Sequence, residues 1–236
     1  MELKFDGLGL SLTYRDGRLV RALTRGNGVE GEDVTVNALQ ISNIPKTIPF
    51  LSEVEIRGEV ILPNDEFARI NRERAETNEK VFANPRNAAS GSLRQLDYIV
   101  TKSRNLCFFA YSFPYLEQEQ RENVATYGDY VTLLKSFGFT TTPYLFLGGI
   151  DAIVAEVHRL GEKRPDYGFE IDGLVLKLAD LSLWQALGTT EHHPRYAIAY
   201  KFPATNVRTK LLSIEHSVGR TGVVTPVAIL DPVNVG

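Results

Sequence analysis

Met1-Glu2-Leu3-Lys4-Phe5-Asp6-Gly7-Leu8 sets one amine two residues before a carboxylate and a glycine, just ahead of an alternating apolar stretch. In extended backbone, positions i and i+2 share a face, so Lys4 and Asp6 line one wall while Leu3 and Phe5 turn to the other. Lysine is a nucleophile only as the free amine, and from an unperturbed pKa of about 10.4 that requires desolvation or neighbouring positive charge. Gly7 lets backbone pass where a side chain would block a ligand. Taken alone, these residues read first as a strand-edge ion pair. A reactive amine needs a matching set of groups from the rest of the chain.

Immediately downstream, Leu8 to Tyr14, the turn pair Asp16-Gly17 and Leu19 to Thr24 read as an antiparallel hairpin. Thr24-Arg25-Gly26-Asn27-Gly28-Val29-Glu30-Gly31 then contains G-x-G-x-x-G. A dinucleotide fingerprint needs a parallel strand before it and a helix starting within the glycines. Here a hairpin precedes the loop and only a short helical stretch, about 33 to 39, follows. The readings left are a glycine loop that brings Arg25 close to a phosphate, and a plain surface turn.

Val54 to Leu62 is a strand with Glu55, Arg57 and Glu59 on one face, expected to meet solvent, and Val54, Ile56, Gly58 and Val60 on the other. A helix is expected from Pro63-Asn64-Asp65 to about Glu76, capped by Asn64 or Asp65, with Phe67 and Ile70 inward. Phe82 to Asp97 is rich in small and amide residues. If it is helical from Ala88, Arg86 lies at the N-terminal entry and Arg94 about two turns along, a spacing that tracks phosphates.

Leu106 to Phe113 is a buried strand holding Cys107 as a small core residue. Asn123 to Phe137 and Ile150 to Lys163 are amphipathic helices separated by a strand from Tyr144 to Leu147. Phe169 to Leu178 is a strand whose Asp172-Gly173 bulge exposes a carboxylate, with Lys177 further along. His192-His193 before Pro194 reads as a surface pair rather than a metal site. Ile198-Ala199-Tyr200-Lys201-Phe202 is an apolar strand whose one lysine must snorkel or meet an anion. From Val207 on, the chain turns to short β segments, Leu211 to Ile214, Ser217 to Gly222 and Val223 to Leu230, too few for a closed barrel.

The 236 residues allow a substantial core, and 43% hydrophobic with 23% charged residues is the balance of a globular protein. No apolar run is long enough to span a membrane, and Glu2, Lys4 and Asp6 interrupt any signal-peptide core. One cysteine leaves no internal disulfide and no zinc site of several thiolates. These features fit a cytoplasmic protein. A net charge of −3 argues against wholesale attraction to nucleic acid. Local runs differ: Arg86, Arg94, Lys102 and Arg104 face only Asp97 within their segment, while acids gather at Glu117, Glu119 and Glu122. Such runs serve either as solvated faces or as phosphate contacts.

In sequence order these pieces resemble the nucleotidyltransferase domain of the bacterial NAD-dependent DNA ligases. Lys4-x-Asp6-Gly7 matches the nucleophile motif, Thr24-Arg25-Gly26-x-Gly28 the glycine loop, and Arg57-Gly58-Glu59 the third motif. Glu170-Ile171-Asp172-Gly173 through Lys177 matches the fourth, Arg195 to Pro203 the fifth, and Asn84 to Asp97 a segment peculiar to that family. The resemblance implies an α+β nucleotidyltransferase (ATP-grasp-like DNA ligase adenylation) fold of antiparallel sheets flanked by helices over residues 1–205. A truncated OB-fold β segment over 206–236 would follow.

The resemblance also implies chemistry. Lys4 would take AMP from NAD, expel nicotinamide mononucleotide and pass the adenylyl group to the 5′-phosphate of nicked double-stranded DNA, in DNA replication and repair. Arg25, Lys177 and Lys201 would neutralise phosphate charge, and cations near Lys4 would disfavour its protonated form. Glu2 would accept from the adenine amino group, Tyr111 would stack on the ring, and Glu59 would bind the ribose hydroxyls. Asp172 resembles the residue that assists Lys4 or holds Mg2+, for which no ligand set is otherwise assigned. Arg86, Arg94 and Arg164 resemble groups contacting DNA or the leaving group.

Further partners implied are the family's N-terminal helical domain, which grips the nicotinamide half, and its C-terminal modules. Full nick sealing is not expected of this chain alone, and it is expected to act as a monomer away from membranes. Asn27 stands where the family usually shows aspartate, with little effect expected. Two other readings stay open: an ATP-dependent polynucleotide ligase or capping-type nucleotidyltransferase, and a non-catalytic nucleic-acid-binding module.

Overall fold

The computed structural model describes residues 1–26, 30–113, 124–162, 166–190, 193–203 and 206–233. Arg164, Asn27, Gly28, His192 and the acids Glu117, Glu119 and Glu122 lie outside the described residues. The chain divides into two compact units, Met1–Lys201 and Phe202–Gly236.

The larger sheet of the first unit grows from the expected hairpin. β2 (Leu8–Arg15) and β3 (Arg18–Thr24) are joined at Asp16 and Gly17, both with positive φ, 50° and 72°. Two such residues set a turn whose twist matches the strands it joins. β4 (Val54–Ile61) pairs with the free edge of β2, and β5 (Cys107–Ser112) adds beyond it, giving the order β3-β2-β4-β5. Period-2 alternation decides what is inside: Leu10, Leu12, Tyr14, Val54, Ile56 and Val60 are all buried on one face. A side chain at Gly58 would drive its Cβ to 2.3 Å from the Phe108 ring, which is why the inward row has a gap there.

Helices cover that face. α1 (Thr35–Ala38), α2 (Asn64–Glu76), α3 (Pro85–Leu93) and α5 (Tyr127–Ser136) contribute Ala38, Ile70, Ala88, Ala89, Leu93, Tyr127, Tyr130, Val131 and Leu134 to the core. In α5 the buried positions step by three and four residues, one stripe of a 3.6-residue repeat. Phe67 packs partly buried against the same core, as its spacing from Ile70 requires. Short α4 (Tyr98–Ser103) and α7 (Ser182–Leu187) and the longer α6 (Ile150–Glu162) complete the helices described.

Several boundaries differ from expectation. Pro63, not Asn64 or Asp65, precedes α2, and no side chain caps it, since Pro63 fixes the entry and its missing N–H costs nothing there. α5 starts at Tyr127 rather than Asn123, because Thr126 and Asp129 form a reciprocal capping box. The expected strand from Tyr144 to Leu147 is a single bridge, Leu145 to Glu2. Ser217 and Val218 continue one strand from Leu211 instead of opening another.

The smaller sheet is β1 (Glu2–Phe5), β6 (Ile171–Lys177) and β7 (Ala197–Lys201), in the order β1-β6-β7 and antiparallel throughout. Leu3 and Leu174 face each other on its buried side. Phe5 stacks on Phe109 of β5 at 4.6 Å between ring centres, and Phe169 packs against both, so an aromatic cluster joins the two sheets. The second unit is the hairpin β8 (Leu211–Val218) with β9 (Val224–Leu230). Among the described residues no helix is long and apolar enough to cross a membrane.

Candidate active site

Strand pairing sets the geometry around Lys4. Lys4 lies opposite Gly173, and Gly173 opposite Lys201, so one row crosses all three strands with a lysine at either end. Cross-strand partners share a face, and two strand spacings separate the two lysine backbones by about 10 Å. Between them a Cβ on Gly173 would sit 2.1 Å from the Tyr200 carbonyl oxygen, so nothing larger than glycine fits. Register shifts between Lys4 and Phe5: Phe5 pairs with Ile171, and Asp172 is the extra residue of a bulge. That bulge turns the Asp172 carboxylate onto Lys4, with Nζ donating to both oxygens at 2.7 Å. Lys4 is half-buried, its side chain 27% exposed. The pair expected between Lys4 and Asp6 is absent, since Asp6 accepts instead from Arg86 at 2.9 Å.

One row further along the same face, Glu2 meets Lys177. Lys177 Nζ lies 2.6 Å from Glu2 Oε1 and donates to the Tyr127 hydroxyl at 2.7 Å and to the Tyr111 carbonyl at 3.4 Å. Tyr127 donates to Glu2 Oε2 at 2.7 Å. Carboxylate, ammonium and phenol thus form a closed triangle, with the ammonium also 4.2 Å from the centre of the Tyr127 ring. Burial, then the Glu2 charge, holds the Tyr127 phenol well above its ordinary value, so its proton stays in place. The backbone explains the position: Tyr127 N–H donates to the Ala179 carbonyl, tying the first residue of α5 to the chain just beyond Lys177.

Glu59 and Tyr111 come from the larger sheet. Glu59 pairs with Gly9 on one side and Phe109 on the other. Tyr111 is the extra residue of a second bulge, where Gly58 pairs with Ala110 but Arg57 with Ser112. The Glu55, Arg57 and Glu59 face was expected to meet solvent; Arg57 is exposed, whereas Glu59 is only partly so. Burial pushes the Glu59 carboxyl up to about 7 against the opposing charges of Arg86, Lys4 and Arg25. The Tyr111 phenol is likewise raised by burial, with Glu59 adding to it. Arg25 lies along Gly9, where a Cβ would come 3.3 Å from its own, and its N–H donates to the Gly9 carbonyl.

Lys4, Asp172, Glu2, Lys177, Arg25, Glu59, Tyr111 and Arg86 therefore gather in one region, with Lys201 in the Lys4 row. Arg94 does not join them. It pairs with Glu32 at 2.6 Å and, with Thr24, Gly26 and Gly31, lines a separate cleft of about 440 Å3. Sequence reading missed Tyr127, which at the start of an amphipathic helix has the signature of any core aromatic. It also missed the pairing of Asp6 with Arg86.

The donors and acceptors suit an adenylate: cations on the Lys4 face for phosphate, and the carboxylates Glu2 and Glu59 for amino and hydroxyl groups. They do not form a metal cage, because among the described residues no three His, Cys, Asp or Glu side chains converge.

Comparison with known proteins identifies the family. Residues 1–205 match the family described as NAD-dependent DNA ligase adenylation domain. Proteins named DNA ligase are similar along the whole chain: 48% identical over 238 residues in Gluconobacter oxydans, covering 100% of this chain and 34% of that one. In Bacillus cytotoxicus the figures are 46% identity, 99% and 35%, and in Psychrobacter cryohalolentis 47%, 100% and 34%. The chain thus spans about a third of the length of these relatives. A solved structure from work on Lig E DNA ligases covers 96% of this chain and 75% of its own at 15% identity and a TM-score of 0.48, too distant to add to the family match.

Proposed function

The chain belongs to the family of NAD-dependent DNA ligase adenylation domains, and from that premise we propose that Lys4 is the residue that takes up AMP. The observation that carries the reading is the Lys4–Asp172 pair, set by a strand bulge and facing Lys201 across one row. NAD supplies the adenylyl group, with nicotinamide mononucleotide as the leaving group.

Lys4 must lose a proton before it attacks phosphorus. Asp172, with both oxygens at 2.7 Å from Nζ, orients the amine and is placed to receive that proton. Lys177, Lys201 and Arg25 supply the positive charge that a phosphate at the Lys4 row needs. Glu2 offers its carboxylate to the adenine amino group, Tyr111 offers its ring, and Glu59 takes the ribose hydroxyls.

Transfer of AMP to the 5′-phosphate of nicked DNA is proposed for the whole protein, with Arg86, Arg94 and Arg164 as contacts to DNA or the leaving group. Arg86 sits beside the Lys4 cluster through Asp6, which favours the leaving-group role, whereas Arg94 on the other cleft favours DNA. Mg2+ is proposed to enter on substrate phosphates, since it commonly binds through one or two carboxylates plus phosphate and water. Residues 206–236 are proposed as the start of an OB-fold domain, a reading supported by the antiparallel β8–β9 hairpin.

The test is intact mass after incubation with NAD or with ATP, with the remaining segments of a relative supplied in trans. A gain of one adenylyl group from NAD, labile in acid as a phosphoramide is and lost in Lys4→Ala, is expected. Gain from ATP alone contradicts NAD dependence.

A further inference from the structure

Glu2 is 4% exposed and both its oxygens are engaged, Oε1 by Lys177 and Oε2 by the Tyr127 hydroxyl. Lys177 in turn directs its three N–H bonds to Glu2, Tyr127 and the Tyr111 carbonyl. On the reading proposed above, Lys177 turns towards a phosphate when a nucleotide binds, and at least one of those bonds must then be given up. Glu2 would lose its ionic partner just when it has to hold a base. The Tyr127 hydroxyl is the partner that remains.

Nothing in that role allows Tyr127 to drift. Its ring is 2% exposed, lies 5.7 Å from Tyr130 and 5.9 Å from Trp184, and Trp184 stacks in turn on Tyr196 at 3.9 Å. Its own N–H is fixed to the Ala179 carbonyl. A phenol held this way donates to a carboxylate in one direction only. With Oε2 tied, Glu2 keeps one orientation and shows the ligand an acceptor.

We propose that Tyr127 is the positioning residue that sets purine specificity, holding Glu2 as a fixed hydrogen-bond acceptor that accepts a 6-amino purine and rejects a 6-oxo one. An amino group donates to such an oxygen, while a carbonyl there sets two acceptors against each other and leaves both desolvated. Without the hydroxyl, neither Glu2 oxygen is tied once Lys177 has turned to the phosphate, and the carboxylate is free to rotate away from the ligand. The gain from the amino group and the penalty for the carbonyl then shrink together. The inference rests on the nucleotide reading of this site but assigns a role to a residue outside the sequence motifs.

The experiment compares AMP and IMP binding by calorimetry for the wild type, Tyr127→Phe and Glu2→Gln, with thermal melts confirming folding. The wild type is expected to prefer AMP, and Tyr127→Phe to reduce the AMP:IMP affinity ratio by about tenfold, the worth of one charge-assisted hydrogen bond. Glu2→Gln should reduce the ratio as well. A Tyr127→Phe protein that folds and keeps the wild-type ratio, while Glu2→Gln loses it, overturns the role of Tyr127 and leaves the nucleotide reading standing. An unchanged ratio in Glu2→Gln, or no binding of AMP by the wild type, overturns the nucleotide reading and the inference with it.

Should Tyr127→Phe not fold, 3-fluorotyrosine placed at position 127 keeps the hydroxyl and reads the same bond. Its fluorine resonance is expected to move differently with AMP and with IMP. Identical shifts with the two nucleotides overturn the proposal.

Discussion

Glu59 is lifted by burial from the ordinary glutamate value of 4.5 to about 7, while Arg86, Lys4 and Arg25 pull it back. A proton held more tightly in the folded chain than in the unfolded one adds stability only while it stays bound. The contribution is full below 4.5 and is lost as pH rises through about 7. Urea melts across that window should show wild-type stability falling with pH, and Glu59→Gln should flatten the fall. A Glu59 carboxyl titrating near 4.5 by carbon NMR would contradict the burial argument. Removing the first of the opposing cations, in Arg86→Ala, should move the titration upward.

At Lys4 the expected effect is on rate rather than stability. Asp172→Asn should lower adenylation by about a hundredfold or more while changing stability by about 1 kcal/mol or less, because the pair is partly exposed. Rapid-quench rates and melts separate the two. Period-2 alternation predicted a shared wall for Lys4 and Asp6, but β1 ends at Phe5 and Asp6 pairs with Arg86, 80 positions along the chain. Such partners depend on how sheets stack, which no local pattern records.

Elements carry the site through close backbone approach. Gly173 has no room for a Cβ, with the Tyr200 carbonyl 2.1 Å away, so Gly173→Ala must push β7 from β6 and displace Lys201. A loss of about 1–3 kcal/mol is expected from urea melts. At Gly161 in α6 a Cβ would meet no described atom within 4 Å. Gly161→Ala should therefore gain roughly 0.5–1 kcal/mol from helix propensity.

The hairpin β2–β3, the helix α2 and the bulge at Asp172 were legible because turn residues, apolar spacing and glycine placement are local signals. The start of α5 was misplaced because an apolar pattern runs upstream of the Thr126 capping box. Tyr144 to Leu147 has the composition of a strand but finds one bridge only, since pairing depends on a neighbour the local sequence does not name. Helix α7 was not anticipated, and no side chain caps it.

For the whole molecule, the two units should differ in local stability. In the hairpin β8–β9 every described side chain is exposed except Ile229, which is partly buried, whereas β2 and β4 carry a buried row. Two strands without a buried face are marginal, so amides of β8 and β9 should exchange with deuterium well before those of β2 and β4. Equal protection would mean that the hairpin draws stability from contacts other than its own. The larger unit has to hold charges drawn from both ends of the chain, and it does so by pairing Glu2 and Lys4 with residues beyond position 170. That convergence is the central claim in its physical form: the amine at Lys4, and no other lysine on the same face, is set up to react. Peptide mapping of protein incubated with NAD, with the remaining segments of a relative supplied in trans, tests it most directly. The account predicts the adenylyl group on the peptide containing Lys4 alone. Finding it on Lys177 or Lys201, or on no lysine at all, would contradict the account.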